Sequence, residues 1–410
     1  MRQPIVNRIN WSIEKNIPDV RALVRHRYPD FVYAPRDNFP LKEIPVFYFH
    51  KVVPERLEEQ LDFLNRNGYR TLSADELWEV VIGSKPYPRD AVALTFDDGT
   101  VSLWSVAFPL LGKYGFHGIN FIVPGFIGES GSKRPTLRDF WEGRVERSGI
   151  PFEETVTEPL CTWQEIRAMH ESGTIEFQSH TLYHHKILVS PKLIDFINPV
   201  FDTYFFGNVH VPVYRKDGVD RFDRKMPMGT PVYRSRPRMS SERRYFDDEK
   251  VRESCAHFVA ERGGEMFFRT KGWRKVLQAH FRSIGEEAGG ESRYESETER
   301  EEAILSDLRE SKRWIEEHIP DHEVRHLCYP WFEGSDLSVE LSKRAGYVSN
   351  FWGPLPGRAG EASGGDPYRI ARLDEGYLFR LPGKGRKPLH QILARKFQDN
   401  YRPFLQQLWR

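Results

Sequence analysis

Cysteine is scarce in this 410-residue chain: Cys161, Cys255 and Cys328 stand far apart, with no CxxC pair. That excludes a disulfide framework and a zinc–cysteine site. An excess of one charge is lacking too. Lys+Arg number 60 against 59 Asp+Glu, a net charge of +1, so no global field argues for nucleic acid or a membrane surface. No apolar run is long enough for a transmembrane helix. Residues 1–20 carry Arg2, Arg8, Glu14, Lys15 and Asp19 and read as neither a signal peptide nor an anchor, so a cytoplasmic location is expected. There are no internal repeats. What remains, 39% hydrophobic and 29% charged residues, suits a globular chain with a sizeable core.

The most informative stretch is Ala91-Val92-Ala93-Leu94-Thr95-Phe96-Asp97-Asp98-Gly99-Thr100. An apolar run meeting two carboxylates and a glycine is how a buried parallel strand ends. In a β/α barrel the chemistry sits at such strand ends. No glycine-rich phosphate loop follows, which sets aside phosphotransfer with Asp97 as nucleophile. Before it come a strand at 45–50 ending in His50, a helix from Pro54 to Gly68, a short strand at 69–72 and a Ser73–Glu76 capping box opening a helix. After it a helix over 102–114, a strand over 118–123 and a helix start at Thr162–Glu165 lead to a strand at 174–178. This is the βαβ rhythm of a parallel sheet, an α/β class. The rhythm breaks over about 189–295. There 196–214 is aromatic, with Phe196, Phe201, Tyr204, Phe205 and Phe206, and 215–244 is strongly basic. Such a charge run reads either as a solvated face or as a basic lip for an anionic substrate, with membrane-surface contact left open. Helix and strand signals return from 296 onward, with strands expected at 347–352 and 368–373.

His180 and His184 lie four apart. If the chain turns helical there, both imidazoles share one face, which suits a metal. With Asp98 they make a two-His-one-carboxylate set with open positions, fit for Zn²⁺ or for Co²⁺, Ni²⁺ or Mn²⁺. Such an ion lowers the pKa of its water and polarises a carbonyl. Asp97, on the alternate face of the strand, is then placed as general base. His185 competes with His184 as the second imidazole.

Thr95-Phe96-Asp97-Asp98-Gly99 and His180-Thr181-Leu182-Tyr183-His184 resemble the first two signature motifs of the polysaccharide deacetylase family, the NodB-homology domains of carbohydrate esterase family 4. Tyr329-Pro330-Trp331 is similar to the third. The likeness covers roughly 44–188 and 296–375. It implies a distorted (β/α) barrel of the NodB type over 44–380, interrupted by the 189–295 insertion. An N-terminal extension (1–43) and a C-terminal helical tail (381–410) would flank it. It also implies metal-dependent removal of an acetyl group from a sugar. By motif position Asp97 is the catalytic base, Asp98, His180 and His184 hold the metal, and metal-activated water attacks. Tyr329, Pro330 and Trp331 line the acetyl pocket.

Three departures stand out. Where the third motif often carries a base-orienting arginine, this chain has Cys328, and Arg325, Arg369 or Arg372 would have to supply the charge. Asn350-Phe351-Trp352 is only a faint fourth motif. The fifth motif's histidine is missing, so the general acid is unassigned; His390 reads as a surface residue, and His50 as either a site or a core histidine. The leading expectation is an N-deacetylase of an acetylated amino sugar in an oligosaccharide, a polymer or a carrier-linked precursor. A C–N hydrolase of a non-sugar amide or cyclic imide and a non-catalytic metal-binding barrel are the alternatives.

Overall fold

Strands that are apolar on both faces need cover on both faces, and the chain provides it with helices between successive strands. The computed structural model describes residues 22–35, 39–50, 52–129, 132–152, 156–199, 212–222, 226–287, 292–354 and 365–396. Of the aromatic run, Phe201, Tyr204, Phe205 and Phe206 lie outside them. The first strand, β1 (Val46–Phe49), is followed by α1 (Pro54–Arg66), whose Leu57, Leu61 and Leu64 form its buried stripe. β2 (Arg70–Thr71) leads into α2 (Ala74–Val81), opened by the expected capping box of Ser73 and Glu76. β3 (Ala91–Asp98) is buried along its whole length. A π-helical turn, Leu103–Ala107, and α3 (Phe108–Tyr114) carry the chain to β4 (Gly118–Ile122); α4 (Trp163–Glu171) leads to β5 (Ile175–Ser179).

The chain divides into two compact units: residues 22–182, 308–332 and 342–396, and residues 183–307 with 333–341. The chain runs through α7 (Glu297–His318) into β8 (His326–Cys328) of the first unit, then α8 (Asp336–Arg344), β9 (Ser349–Phe351) and β10 (Leu373–Asp374). All pairings along β9-β8-β5-β4-β3-β1-β10 are parallel. Ile370 bridges back to Phe351 of β9, while Leu373 and Asp374 pair with Phe47 and Tyr48 of β1. The five residues 370–374 therefore close the sheet on itself, giving the expected distorted (β/α) barrel. This closing strand is shorter than the sequence suggests, because a 3₁₀ turn takes up Pro367–Arg369. Small interior side chains, Ala91 and Ala93, leave space for Phe121, Cys328 and Phe351 in one core.

The second unit has its own core. β6 (Lys186–Phe196) pairs antiparallel with β7 (Pro231–Pro237), and α5 (Glu249–Glu261) and α6 (Trp273–Glu287) pack Cys255, Val259 and Leu277 with Phe196 and Phe267. Within the basic run three arginines are committed to ion pairs. Arg238 is buried against Glu295 at 2.7 Å, Arg244 forks onto Asp220 at 2.6 and 2.7 Å, and Arg236 pairs with Glu333. Arg238→Glu is therefore expected to destabilise the fold by roughly 3–5 kcal/mol, as removal of one partner from a buried ion pair does; thermal unfolding checks it. No helix among the described residues is long and apolar enough to cross a membrane.

Candidate active site

Along β3 the odd positions Ala91, Ala93, Thr95 and Asp97 share one face by alternation. Asp97 is 1% exposed, a costly place for a charge unless it is paired. The pair is Arg372, itself fully buried. Its Nη1 donates to Asp97 Oδ1 at 2.7 Å and its Nη2 to Oδ2 at 2.9 Å. The remaining donors reach the Trp352 carbonyl at 3.0 Å and Thr95 Oγ1 at 3.1 Å. Burial alone would raise the Asp97 pKa, but Arg372, with His180 and His50, holds the carboxyl well below the usual range. Asp97 is thus ionised at every ordinary pH.

Of the three arginines considered for this charge, Arg325 is engaged with Asp75 at 2.5 Å, and Arg369 pairs with Asp366 and lies over the Trp352 ring. Arg372 alone of the three reaches Asp97. It stands in the closing strand between Ile370, which pairs with β9, and Leu373, which pairs with β1. Cys328, at the position of the missing arginine, contributes a backbone carbonyl instead.

That carbonyl accepts a hydrogen bond at 2.8 Å from Nδ1 of His180, the residue after β5. The contact fixes the tautomer and leaves Nε2 as the lone-pair donor. Burial lowers its pKa and so favours the neutral ring. His180 Nε2 lies 3.6 Å from Asp98 Oδ1. Donor atoms of Asp98, His180 and His184 all fall within 4.8 Å of one another, and all three residues are buried. The segment is not helical, as the His-x₃-His spacing suggested it could be. Thr181 and His184 adopt left-handed φ values of 66° and 50°, and the imidazoles meet through a folded loop. Asp98 is left-handed as well, with φ 71°, and Gly99 follows at 72°. Strain of this kind, about 1–3 kcal/mol per non-glycine residue, gathers on the donor residues themselves.

The donors suit a divalent ion. Two imidazoles and a carboxylate are a zinc-type set. Burial, followed by repulsion from Asp97, pushes the Asp98 pKa up to about 8, so the site disfavours this negative charge unless a cation shares it. Asp97, His180 and Cys328 form a second cluster of comparable closeness. It fits less well, since both Asp97 oxygens serve Arg372 and burial raises the Cys328 thiol pKa far above its ordinary value. His185 is turned elsewhere: its ring meets Phe222 edge-on at 5.1 Å and its Nδ1 lies 3.7 Å from Asp307 Oδ2.

His50, at the end of β1, has Nε2 3.7 Å from Asp97 Oδ2 and is 44% exposed, more open than the other members. It is flanked edge-to-face by Tyr48 at 5.5 Å and Phe332 at 5.8 Å. Thr100 Oγ1 donates to the His50 carbonyl and Val52 N–H to Ser102 Oγ, so the loop after β3 holds the loop after β1.

The Tyr329-Pro330-Trp331 turn does not present all three side chains alike. Tyr329 is fully buried, its hydroxyl accepting from Asn350 at 2.8 Å and its ring against Trp352. Pro330 is buried and Trp331 partly exposed. Phe332, one residue beyond the motif, was not among the expected site residues, yet it packs on Tyr48 at 4.8 Å as well as on His50. Trp331 and Phe332 are both left-handed, φ 58° and 59°. A Cβ added at Gly353 would lie 2.5 Å from the Phe332 ring, so this glycine is what lets Phe332 sit where it does. Gly353→Ala is expected to destabilise by about 1–3 kcal/mol, the usual cost of overpacking, and to shift the Phe332 and His50 ring resonances, read by NMR.

Comparison with known proteins adds to this geometry. Residues 84–196 match the family model described as polysaccharide deacetylase. Over 137 residues, 33% of this chain, the sequence is 31% identical to the poly-beta-1,6-N-acetyl-D-glucosamine N-deacetylase of Escherichia coli (strain K12). The match spans 18% of that relative's length. The matched segment takes in β3, β4 and β5, and with them Asp97, Asp98, His180 and His184. Arg372, Phe332 and His50 lie outside it. Among solved structures, the BpsB deacetylase domain from Bordetella bronchiseptica aligns at TM-score 0.48 and 16% identity, over 81% of this chain and 96% of that one. A de-N-acetylase from Aggregatibacter actinomycetemcomitans aligns at 0.46 and 17%, over 81% and 95%.

Proposed function

We propose that this barrel is a metal-dependent deacetylase that hydrolyses the N-acetyl group of an acetylated amino sugar, in a polymer or a carrier-linked precursor. The observation that carries the reading is the buried Asp97–Arg372 fork beside the Asp98, His180 and His184 donor set. A scaffold has no chemical need for an ionised carboxylate held at such cost next to a metal-type cluster. Asp98, His180 and His184 would hold the ion, with Zn²⁺ best suited to the donors. When bound, the ion supplies Lewis-acid polarisation of the amide carbonyl and makes water more acidic.

The remaining chemistry belongs to the chain. Asp97 accepts the proton of the attacking water, and Arg372 keeps its two oxygens in one orientation. Its low pKa makes it a weak base that is always in the correct form. His50, half exposed at the site's edge, is the candidate to give a proton to the departing amine. Phe332 and Tyr48 fix its ring and exclude water from one side. In this reading Trp331 and the Pro330 turn border the acetyl group, with Tyr329 supporting them from the core.

The test is acetate release from a panel of N-acetylglucosamine oligomers and carrier-linked N-acetyl sugars, using protein stripped of metal and then reloaded with Zn²⁺. Release that depends on reloading supports the reading. Fully loaded, folded protein inert toward every member of the panel would refute it.

A further inference from the structure

The π-helical turn Leu103–Ala107 begins five residues after Asp98. Turns of this kind are rare and gather at functional sites. Here it places Trp104, stacked on Phe108 at 5.4 Å, in the wall of an open cavity of about 470 Å³. Pro109, Pro135 and Val145 continue the apolar wall, and Lys133, Arg134, Arg138 and Arg144 outnumber the single acidic lining residue, Asp139.

The basic groups are not equivalent. Arg134 is spent inside the wall: it forks onto the buried Glu165 and donates to the carbonyls of Glu158 and Leu160, while its own carbonyl accepts from Trp104 Nε1 at 2.7 Å. Arg144 is held by Asp139 at 2.8 Å. Lys133 and Arg138 are exposed and form no ion pair among the described residues. The Arg138 guanidinium lies close over Gly112 of α3, where a Cβ would be 3.7 Å away. Two cations without an ion-pair partner among the described residues thus line, with an aromatic and proline wall, a cavity of a size suited to a small ligand. Cations recognise carboxylate or phosphate, and a flat apolar wall suits the carbon face of a sugar ring.

We infer that this cavity is an accessory binding site for an anionic sugar unit, a hexose bearing a carboxylate or a phosphate, with Lys133 and Arg138 as the anion-binding groups and Trp104 and Phe108 as the wall against the ring. The site is joined to the Asp98 loop through Leu160, whose carbonyl accepts from Arg134 at 2.7 Å and which bridges Thr100. It stands on observations separate from those behind the deacetylase reading.

The experiment is titration of the full chain with glucuronate and glucose 6-phosphate, with glucose and inorganic phosphate as controls, by calorimetry and ligand-observed NMR. The same titrations are run on Lys133→Gln/Arg138→Gln and on Asp97→Asn, with circular dichroism as the fold check. At least one acidic sugar is expected to bind, to weaken at least tenfold in the double variant, to weaken with added salt, and to be unaffected by Asp97→Asn. Whichever acidic sugar binds identifies the carboxylate or the phosphate as the group recognised. Binding unchanged in the double variant, glucose bound as tightly as its acidic forms, or no binding overturns the inference. So does phosphate bound as tightly as glucose 6-phosphate, since the wall would then contribute nothing.

Discussion

Replacing Arg372 by methionine is expected to destabilise the protein by roughly 3–5 kcal/mol, because it leaves the carboxylate of Asp97 buried without its partner. Both members are 0–1% exposed and joined by two short hydrogen bonds, so no water replaces the guanidinium. Arg372→Lys keeps the charge but loses the fork. It is expected to fold better than the methionine variant while restoring little activity, since a single ammonium fixes neither the carboxylate plane nor the contacts to Trp352 and Thr95. Urea unfolding and acetate release read the two effects separately. The combined Asp97→Asn/Arg372→Met variant should be more stable than the sum of the single losses predicts, as residues sharing one ion pair are strongly non-additive. A methionine variant as stable as the parent would show that the pair is not what holds the closing strand in place.

This pair also marks how far the sequence could be read. The barrel was legible because its strands are continuous apolar runs ending in polar residues, with capped helices between them. Asp97, Asp98, His180 and His184 were legible because each pair is close in sequence at a strand end. Arg372 was visible only as one of three possibilities. It lies 275 residues from Asp97, and only the register of a two-residue strand with its neighbouring bridge decides that it, and not Arg369, turns inward. Phe332 left even less trace, since its place depends on a left-handed backbone and on the absence of a side chain at Gly353. In the basic run over 215–244, composition counts charges without their partners. Arg238 and Arg244 find Glu295 and Asp220 within their own unit, and no spacing rule links them.

The second large effect concerns the metal donors. Asp98→Asn removes the one anionic donor of the set and is expected to abolish metal retention on dialysis and, with it, activity. Metal affinity should also depend on pH in a definite direction. In the metal-free protein burial, followed by repulsion from Asp97, pushes the Asp98 pKa up to about 8, so below that pH an arriving cation must displace a proton. Affinity is therefore expected to rise with pH from 6 toward 8 and then to flatten, protons being released as the ion binds. His180 adds less to this slope than a free imidazole would, since burial lowers its pKa. Competition titration with a chelating dye at several pH values checks it. An affinity independent of pH would place the ion elsewhere than on Asp98.

The most direct test of the central claim is to compare the parent with Asp97→Asn at equal, verified metal content, following acetate released from N-acetylglucosamine oligomers. The amide is nearly isosteric and retains an acceptor for Arg372, but it cannot take a proton. The account predicts a folded, metal-loaded variant whose rate falls by at least two to four orders of magnitude, the usual contribution of a general base. A variant that keeps its metal and releases acetate at the parent's rate would contradict it.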